Sequence, residues 1–387
     1  MAKQKKKIYV LIVILLFVFY FFAAARPIPN ETVLTSGWIR SLAGAPAESL
    51  PNLEYQAPSG NVSERFLPFT LGSRFGYVDP SGQFSINRIQ NNYIYLGENM
   101  WAEYPAEPSN IAINDIFGET IINIEDAKGY PVLLDNRVFI FGSEQNSLSE
   151  INADGKSLWT YEFGAPLTCI DAAAGLVLTG SLDGVIEILN SEGRRVFYFE
   201  PGGSRYNVIL GCAISSNGSR IGIVSGIAPQ RFLLLERLGN TGGEYRVVYH
   251  EFLGDGFRRP VRISFIDDDR RIVFERAGGI GCYNIRSRRG IFIPLDGYIT
   301  AMDESGADGL LFLITSHPNQ NNELVGIRFT QERRFLSRFV NTQDSIFMKA
   351  SFKSDDVFLG RIQTGGSASM LIAGGGTTLI SFDLEDR

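Results

Sequence analysis

Beyond residue 62 the chain is a succession of short runs in which apolar and polar positions alternate. They include GLVLTGS, GVIEIL, RVFYF, RIGIVSG, RFLLLERL, YRVVYHEF, RIVFER, LLFLITS, DVFLGRI and SMLIAG. Period-two alternation over about five to eight residues predicts half-buried strands, and the polar stretches between the runs predict turns. No long stretch of helical period follows residue 25. A βαβ fold needs crossover helices of about ten or more residues, and the gaps between runs leave no room for them. The body is expected to be all-β.

One stretch breaks the pattern. Lys3, Lys5, Lys6 and Lys7 precede residues 8–25, an apolar run without a charge. As a helix its 18 residues would measure about 27 Å, close to the ~30 Å hydrocarbon core of a bilayer. Lysines before the run and only Arg26 just after it place the N-terminus in the cytoplasm. Residues 1–7 then form a basic stub, 8–25 a transmembrane anchor, 26–62 a Pro-rich tether and 63–387 the exported body. The expected location is the inner (cytoplasmic) membrane, with the bulk of the chain periplasmic or extracytoplasmic. The alternative is a signal peptide cleaved near Ala25, which would release the body into the periplasm.

The body repeats. Gly142, Gly155 and Trp159 recur as Gly180, Gly193 and Phe197, each offset by 38 residues. The turn [DN]-x-x-G recurs at Asp79–Gly82, Asp115–Gly118, Asn152–Gly155 and Asn190–Gly193, with glycines 36, 37 and 38 apart. Asp and Asn hydrogen-bond their own backbone two residues on, and Gly accepts the positive φ of a tight turn. Further turns fall near Gly243, Gly290, Glu332–Arg333 and Gly374–Gly376. A period near 40 residues is that of a propeller blade, and radial closure protects sheet edges. The expected fold is a β-propeller of seven or eight four-stranded blades. Eight turns favour eight, although the first unit, residues 63–90, lacks a clear innermost strand. Seven blades, with N-terminal strands completing the last, is the alternative.

Residues 130–200 resemble the PQQ-like, quinoprotein-type propeller repeat. Gly180-Ser181-Leu182-Asp183-Gly184 leads through Leu189-Asn190 to Gly193 and Phe197, and the preceding unit carries Gly142-Ser143, Gly155 and Trp159. Residues 212–226 are similar to the start of a WD40-type blade. In enzymes of the quinoprotein type a quinone sits over the central channel, held by adjacent cysteines and a calcium-binding acidic set. This chain has no adjacent cysteines, and no matching acidic set can be placed. The resemblance therefore implies a propeller without the cofactor, like those that serve as binding or assembly scaffolds in bacterial envelopes.

Composition narrows the chemistry. A net charge of −6 disfavours a nucleic-acid binder. Two histidines, His250 and His317, argue against a His-built metal centre or a His-based triad. Cys169, Cys212 and Cys282 show no CxxC spacing and read as small core residues; a Cys169–Cys212 disulfide is one alternative. No catalytic, cofactor or metal residues are assigned. Asp267-Asp268-Asp269 beside Arg270-Arg271 reads as a turn with locally paired charges.

The most uneven charge lies at residues 258–289, where nine arginines meet four carboxylates. Arg258, Arg259, Arg262, Arg286, Arg288 and Arg289 are the candidate basic rim, suited to an acidic protein partner, an anionic lipid or a polyanionic envelope polymer. The expected function is a non-enzymatic, membrane-anchored scaffold that binds envelope proteins. The alternative is a propeller hydrolase or oxidoreductase with carboxylates at the central channel.

Overall fold

The structure is a computed structural model and describes residues 11–20, 32–43, 66–239, 243–254, 256–306, 309–317, 321–329, 345–365 and 368–386. Eight antiparallel sheets follow one another along the chain, seven of four strands and one of three. They are the eight blades of a propeller. Blade 1 holds Leu67–Leu71, Arg74–Val78 and Phe84–Ile89. Blades 2 to 7 span residues 93–124, 129–162, 167–199, 206–254, 263–294 and 298–352. Blade 8 holds Val357–Gly365, Ala368–Gly375 and Thr378–Asp386. First strands of successive blades approach one another, so they lie innermost. Because strands reverse direction within a blade, the turns joining first to second and third to fourth strands share one end, called the front. The second-to-third turns and the links between blades share the back.

The repeated turn has a common geometry. The side-chain oxygen of Asp79 accepts the N–H groups of Ser81 and Gln83 at 2.9 and 2.8 Å. Asp115, Asn152 and Asn190 accept from the residues two and four on in the same way. The closing glycine serves twice. Gly82 and Gly193 have φ of +78° and +70°. A side chain on Gly82 would also meet the Trp38 ring at 2.7 Å, and one on Gly193 would strike Trp159 closer still. At these two turns the glycine is thus the seat for a tryptophan of the preceding blade, whereas Gly118 faces Arg88 and Gly155 the backbone of Asn123.

This parallel orients blade 1. Asn190–Gly193 joins the third and fourth strands of blade 4 and seats Trp159 of blade 3. Asp79–Gly82 seats Trp38 of blade 8, so the three strands of blade 1 are its second, third and fourth. The innermost position of blade 1 is not filled among the described residues, in line with the weak first unit of the repeat.

The ring closes through the N-terminal region. Thr32–Ser41, expected within the 26–62 tether, is instead the outermost strand of blade 8. It pairs antiparallel with Thr378–Asp386, from Thr32 opposite Asp386 to Ser41 opposite Thr378. Eight blades and N-terminal closure therefore coexist. The turn expected near Gly374–Gly376 is present and joins the second and third strands of blade 8 at the back, while the front turn between third and fourth strands is replaced by the N-terminal pairing. Glu332–Arg333 lies outside the described residues.

The hydrophobic core is divided among the junctions. Eight buried clusters are resolved, one between each pair of neighbouring blades. The cluster between blades 8 and 1 contains Leu42, Phe69, Val78, Ile372 and Leu379, with Trp38 packed against it. Trp38 donates its indole N–H to Pro80 O at 2.8 Å, and Arg40 Nε donates to Gly82 O at 3.1 Å.

Before the propeller, residues 11–20 form a helix with exposed side chains. Ten residues rise about 15 Å, and no described helix is long and apolar enough to cross a membrane. The remainder of the expected 8–25 span lies outside the described residues.

Trp38→Ala is expected to lower the unfolding free energy by about 2–3 kcal/mol in denaturant titration, through lost packing and one lost hydrogen bond. Ile39→Ala, whose side chain is 63% exposed, should change it by less than about 0.5 kcal/mol.

Candidate functional site

Propellers place chemistry where innermost strands converge, and here the front mouth of the channel is acidic. Strand Leu167–Ala173 of blade 4 carries Asp171. The first turn of blade 3 carries Asp135, and that of blade 7 carries Asp303 and Glu304. Asp171 accepts the backbone N–H of Ile214 at 2.8 Å and that of Ala172 at 2.8 Å. Burial nevertheless pushes its carboxyl up to about 6, with Glu304 and Asp135 adding negative charge against the two N–H donors. Burial raises Glu304 as well; Arg262 opposes the rise and Asp303 adds to it. Glu304 is exposed at the first turn of blade 7. The Tyr95 hydroxyl of blade 2 is pushed up by burial and by the fields of Tyr104, Asp171 and Glu304.

Asp303 itself is committed to structure. It pairs with Arg361 of blade 8 at 2.6 Å, both side chains being almost fully buried, and Ser305 donates its N–H to it. The pair pins blade 7 to blade 8. Asp267 pairs with Arg270 and Arg271, and Arg270 also reaches Asp268 at 2.9 Å. Asp269 receives the N–H of Ser216 at 2.9 Å. The triple-Asp segment is a turn, as expected, in which Asp267 and Asp268 pair with local arginines while Asp269 reaches blade 5 instead. No group of three or more His, Cys, Asp or Glu poised to hold a metal ion occurs among the described residues.

The six arginines of the expected rim do not share one surface. Arg258, Arg259 and Arg262 lie in the link from blade 5 into blade 6, at the back. Arg286, Arg288 and Arg289 lie at the turn joining Gly279–Asn284 to Arg289–Pro294, at the front. Antiparallel strands separate what sequence proximity suggested was joined. Arg259 is held by buried Glu275 at 2.6 Å and lies over Phe257. Arg262 donates to Thr300 O at 2.9 Å, on the exposed side of blade 7's innermost strand, which brings it within the field of Glu304. Arg286, Arg288 and Arg289 are all exposed, and no carboxylate comes within ion-pairing distance of them among the described residues. Ser287 N–H donates to Asn284 Oδ1 at 2.9 Å and fixes the turn that carries them.

A family model described as a beta-propeller protein matches residues 1–384. The chain belongs to that beta-propeller family. An uncharacterized protein of Treponema pallidum (strain Nichols) is 26% identical over 300 residues, 78% of this chain and 78% of that protein. Among solved structures, BamB from Moraxella catarrhalis superposes with a TM-score of 0.55 and 12% identity, over 91% of this chain and 100% of that one. Kluyveromyces lactis Hsv2 superposes with a TM-score of 0.52 and 10% identity, over 70% of this chain and 92% of that one. Identities this low show the shared propeller fold alone.

Composition and motif spacing did not single out Asp171, Glu304 or Tyr95. Nothing local distinguishes them; their blades bring them together only when the ring closes. Asp171 is expected to titrate near pH 6 by carboxyl-carbon NMR, against an ordinary carboxylate near ~3.9. Its folded-state proton is held more tightly than the unfolded one. Its contribution to stability is therefore complete below about pH 4 and lost as pH rises through about 6. Asp171→Asn should flatten the stability profile across that window; a wild-type midpoint near 4 would contradict the assignment.

Proposed function

We propose that this propeller is a membrane-tethered, non-enzymatic scaffold that binds a protein partner outside the cytoplasm. The apolar run at residues 8–25 behind four lysines supports the tether and its polarity. Only residues 26–31 lie between that run and the closing strand, a reach of at most about 25 Å. Thr32 lies opposite Asp386 at the front end of blade 8. An anchored chain would hold the front edge of the propeller close to the bilayer, with little slack.

The observation that carries the binding reading is the front turn of blade 6. Among the described residues no carboxylate lies within ion-pairing distance of these three exposed arginines, which supports reading their charge as open to a partner. Guanidinium groups pair with carboxylates bidentately and steer association. The partner surface implied is acidic. Arg258, at the opposite end of the blade, provides an internal control.

A second reading has its own observation. Two funnel carboxylates with raised protonation, beside Arg262 and Tyr95, are the kind of set that transfers protons. On that reading any turnover found for the chain should fall at least about 100-fold in Asp171→Asn. Turnover indifferent to the substitution would remove it.

Affinity capture from detergent-solubilised membranes tests the first reading. Partners held by the wild-type chain are expected to be lost from Arg286→Ala/Arg288→Ala/Arg289→Ala, to be retained by Arg258→Ala, and to elute with rising salt. Recovery of the same partners by the triple variant would overturn the assignment of this turn.

A further inference from the structure

Two cysteines 43 positions apart in sequence meet at the junction of blades 4 and 5. Cys169 lies in the innermost strand of blade 4, Leu167–Ala173, and Cys212 in that of blade 5, Tyr206–Ile214. Hydrogen bonds fasten these strands on either side of the pair. Thr168 Oγ1 donates to Ile209 O at 2.6 Å, and Ile214 N–H donates to Asp171 at 2.8 Å. A register shift precedes each cysteine, between Leu167 and Cys169 in one strand and between Ile209 and Gly211 in the other. A β-bulge of this kind turns the following side chain to the other face. Ile209, Cys212 and Ile214 accordingly share one buried cluster, with Cys169 packed against it, while Val208 and Leu210 face the next junction.

Gly180 makes the room. A side-chain carbon placed there would lie 2.6 Å from Cys169 Sγ and 2.8 Å from Ile209 Cβ, so the sulfur fills the hollow above the glycine and points toward blade 5. Burial pushes the Cys212 thiol well up, and the neighbouring Cys169 thiol adds to the rise. Both are reduced in this structure. Cys169 is part-exposed and Cys212 buried, so reagents meet Cys169 first. Cys282 belongs to the cluster between blades 6 and 7.

We propose that Cys169 and Cys212 form a redox pair that closes into a disulfide across the blade 4–blade 5 junction. The oxidant is a disulfide. With glutathione disulfide, the Cys169 sulfur gives up its proton and attacks, forming a mixed disulfide and releasing one glutathione thiolate. The Cys212 sulfur gives up its proton and attacks Cys169 Sγ, releasing the second. Two protons and two electrons leave the pair, and one glutathione disulfide becomes two glutathione thiols. The covalent link would add to the packing and hydrogen bonds that hold the two blades together. It constrains the unfolded chain through a loop of more than forty residues. This inference is independent of the scaffold reading.

The test equilibrates the full-length chain, purified in detergent, with glutathione buffers of increasing oxidised fraction. Acid quenching, alkylation after denaturation and non-reducing peptide mass spectrometry follow. A peptide linking Cys169 to Cys212, two hydrogens lighter than the reduced pair, is expected, with Cys282 alkylated throughout. The oxidised chain should melt several degrees above the reduced one, and that difference should vanish in Cys169→Ser and in Cys212→Ser. Alkylation of all three cysteines at the most oxidising ratio would overturn the proposal. So would a predominant link through Cys282, or a persistent mixed disulfide on Cys169.

Discussion

The pairing of Thr32–Ser41 with Thr378–Asp386 is the contact on which the rest of the molecule depends. A propeller has no central core; its apolar side chains are shared out among the junctions between blades, here as eight separate clusters. Seven of those junctions join blades adjacent in sequence. The eighth joins the last blade to the first, and it forms only when both ends of the chain meet. Trp38, Arg40 and Leu42 then bridge the closing strand to blade 1. An open ring would leave Leu71, Val78 and Ile372 facing water and a sheet edge unpaired, both of which favour association with other chains.

Closure also governs the candidate site. Asp171, Glu304, Asp135 and Tyr95 come from four different blades, and their mutual fields exist only because innermost strands converge. The buried Asp303–Arg361 pair is a second device of the same kind. It fixes blade 7 against the innermost strand of blade 8, while Glu304, the next residue, is exposed. One turn thus supplies a structural carboxylate and a titrating one.

Which features were legible in the sequence follows from their range. The [DN]-x-x-G turn is read locally because its hydrogen bonds run two and four residues along the chain, and all four copies form as that chemistry dictates. The need for glycine was half visible: positive φ could be expected, but the tryptophan seated on Gly82 and Gly193 comes from a neighbouring blade. Closure by N-terminal strands was legible only as an alternative, because TVLTSGWIRS sits among prolines and finds its partner 343 positions away, at Ser381. The arginine-rich stretch was visible as composition, but a count of charges carries no direction. Strand reversal sent Arg258, Arg259 and Arg262 to one end of blade 6 and Arg286, Arg288 and Arg289 to the other.

Hydrogen–deuterium exchange of the full-length chain, read at the amides of residues 378–386, measures ring closure most directly. The amides of this strand that face residues 32–41 should exchange as slowly as those of Leu310–Ser316, a strand flanked on both sides within blade 7. Exchange of these amides at the rate of an exposed sheet edge would contradict closure by the N-terminal strand.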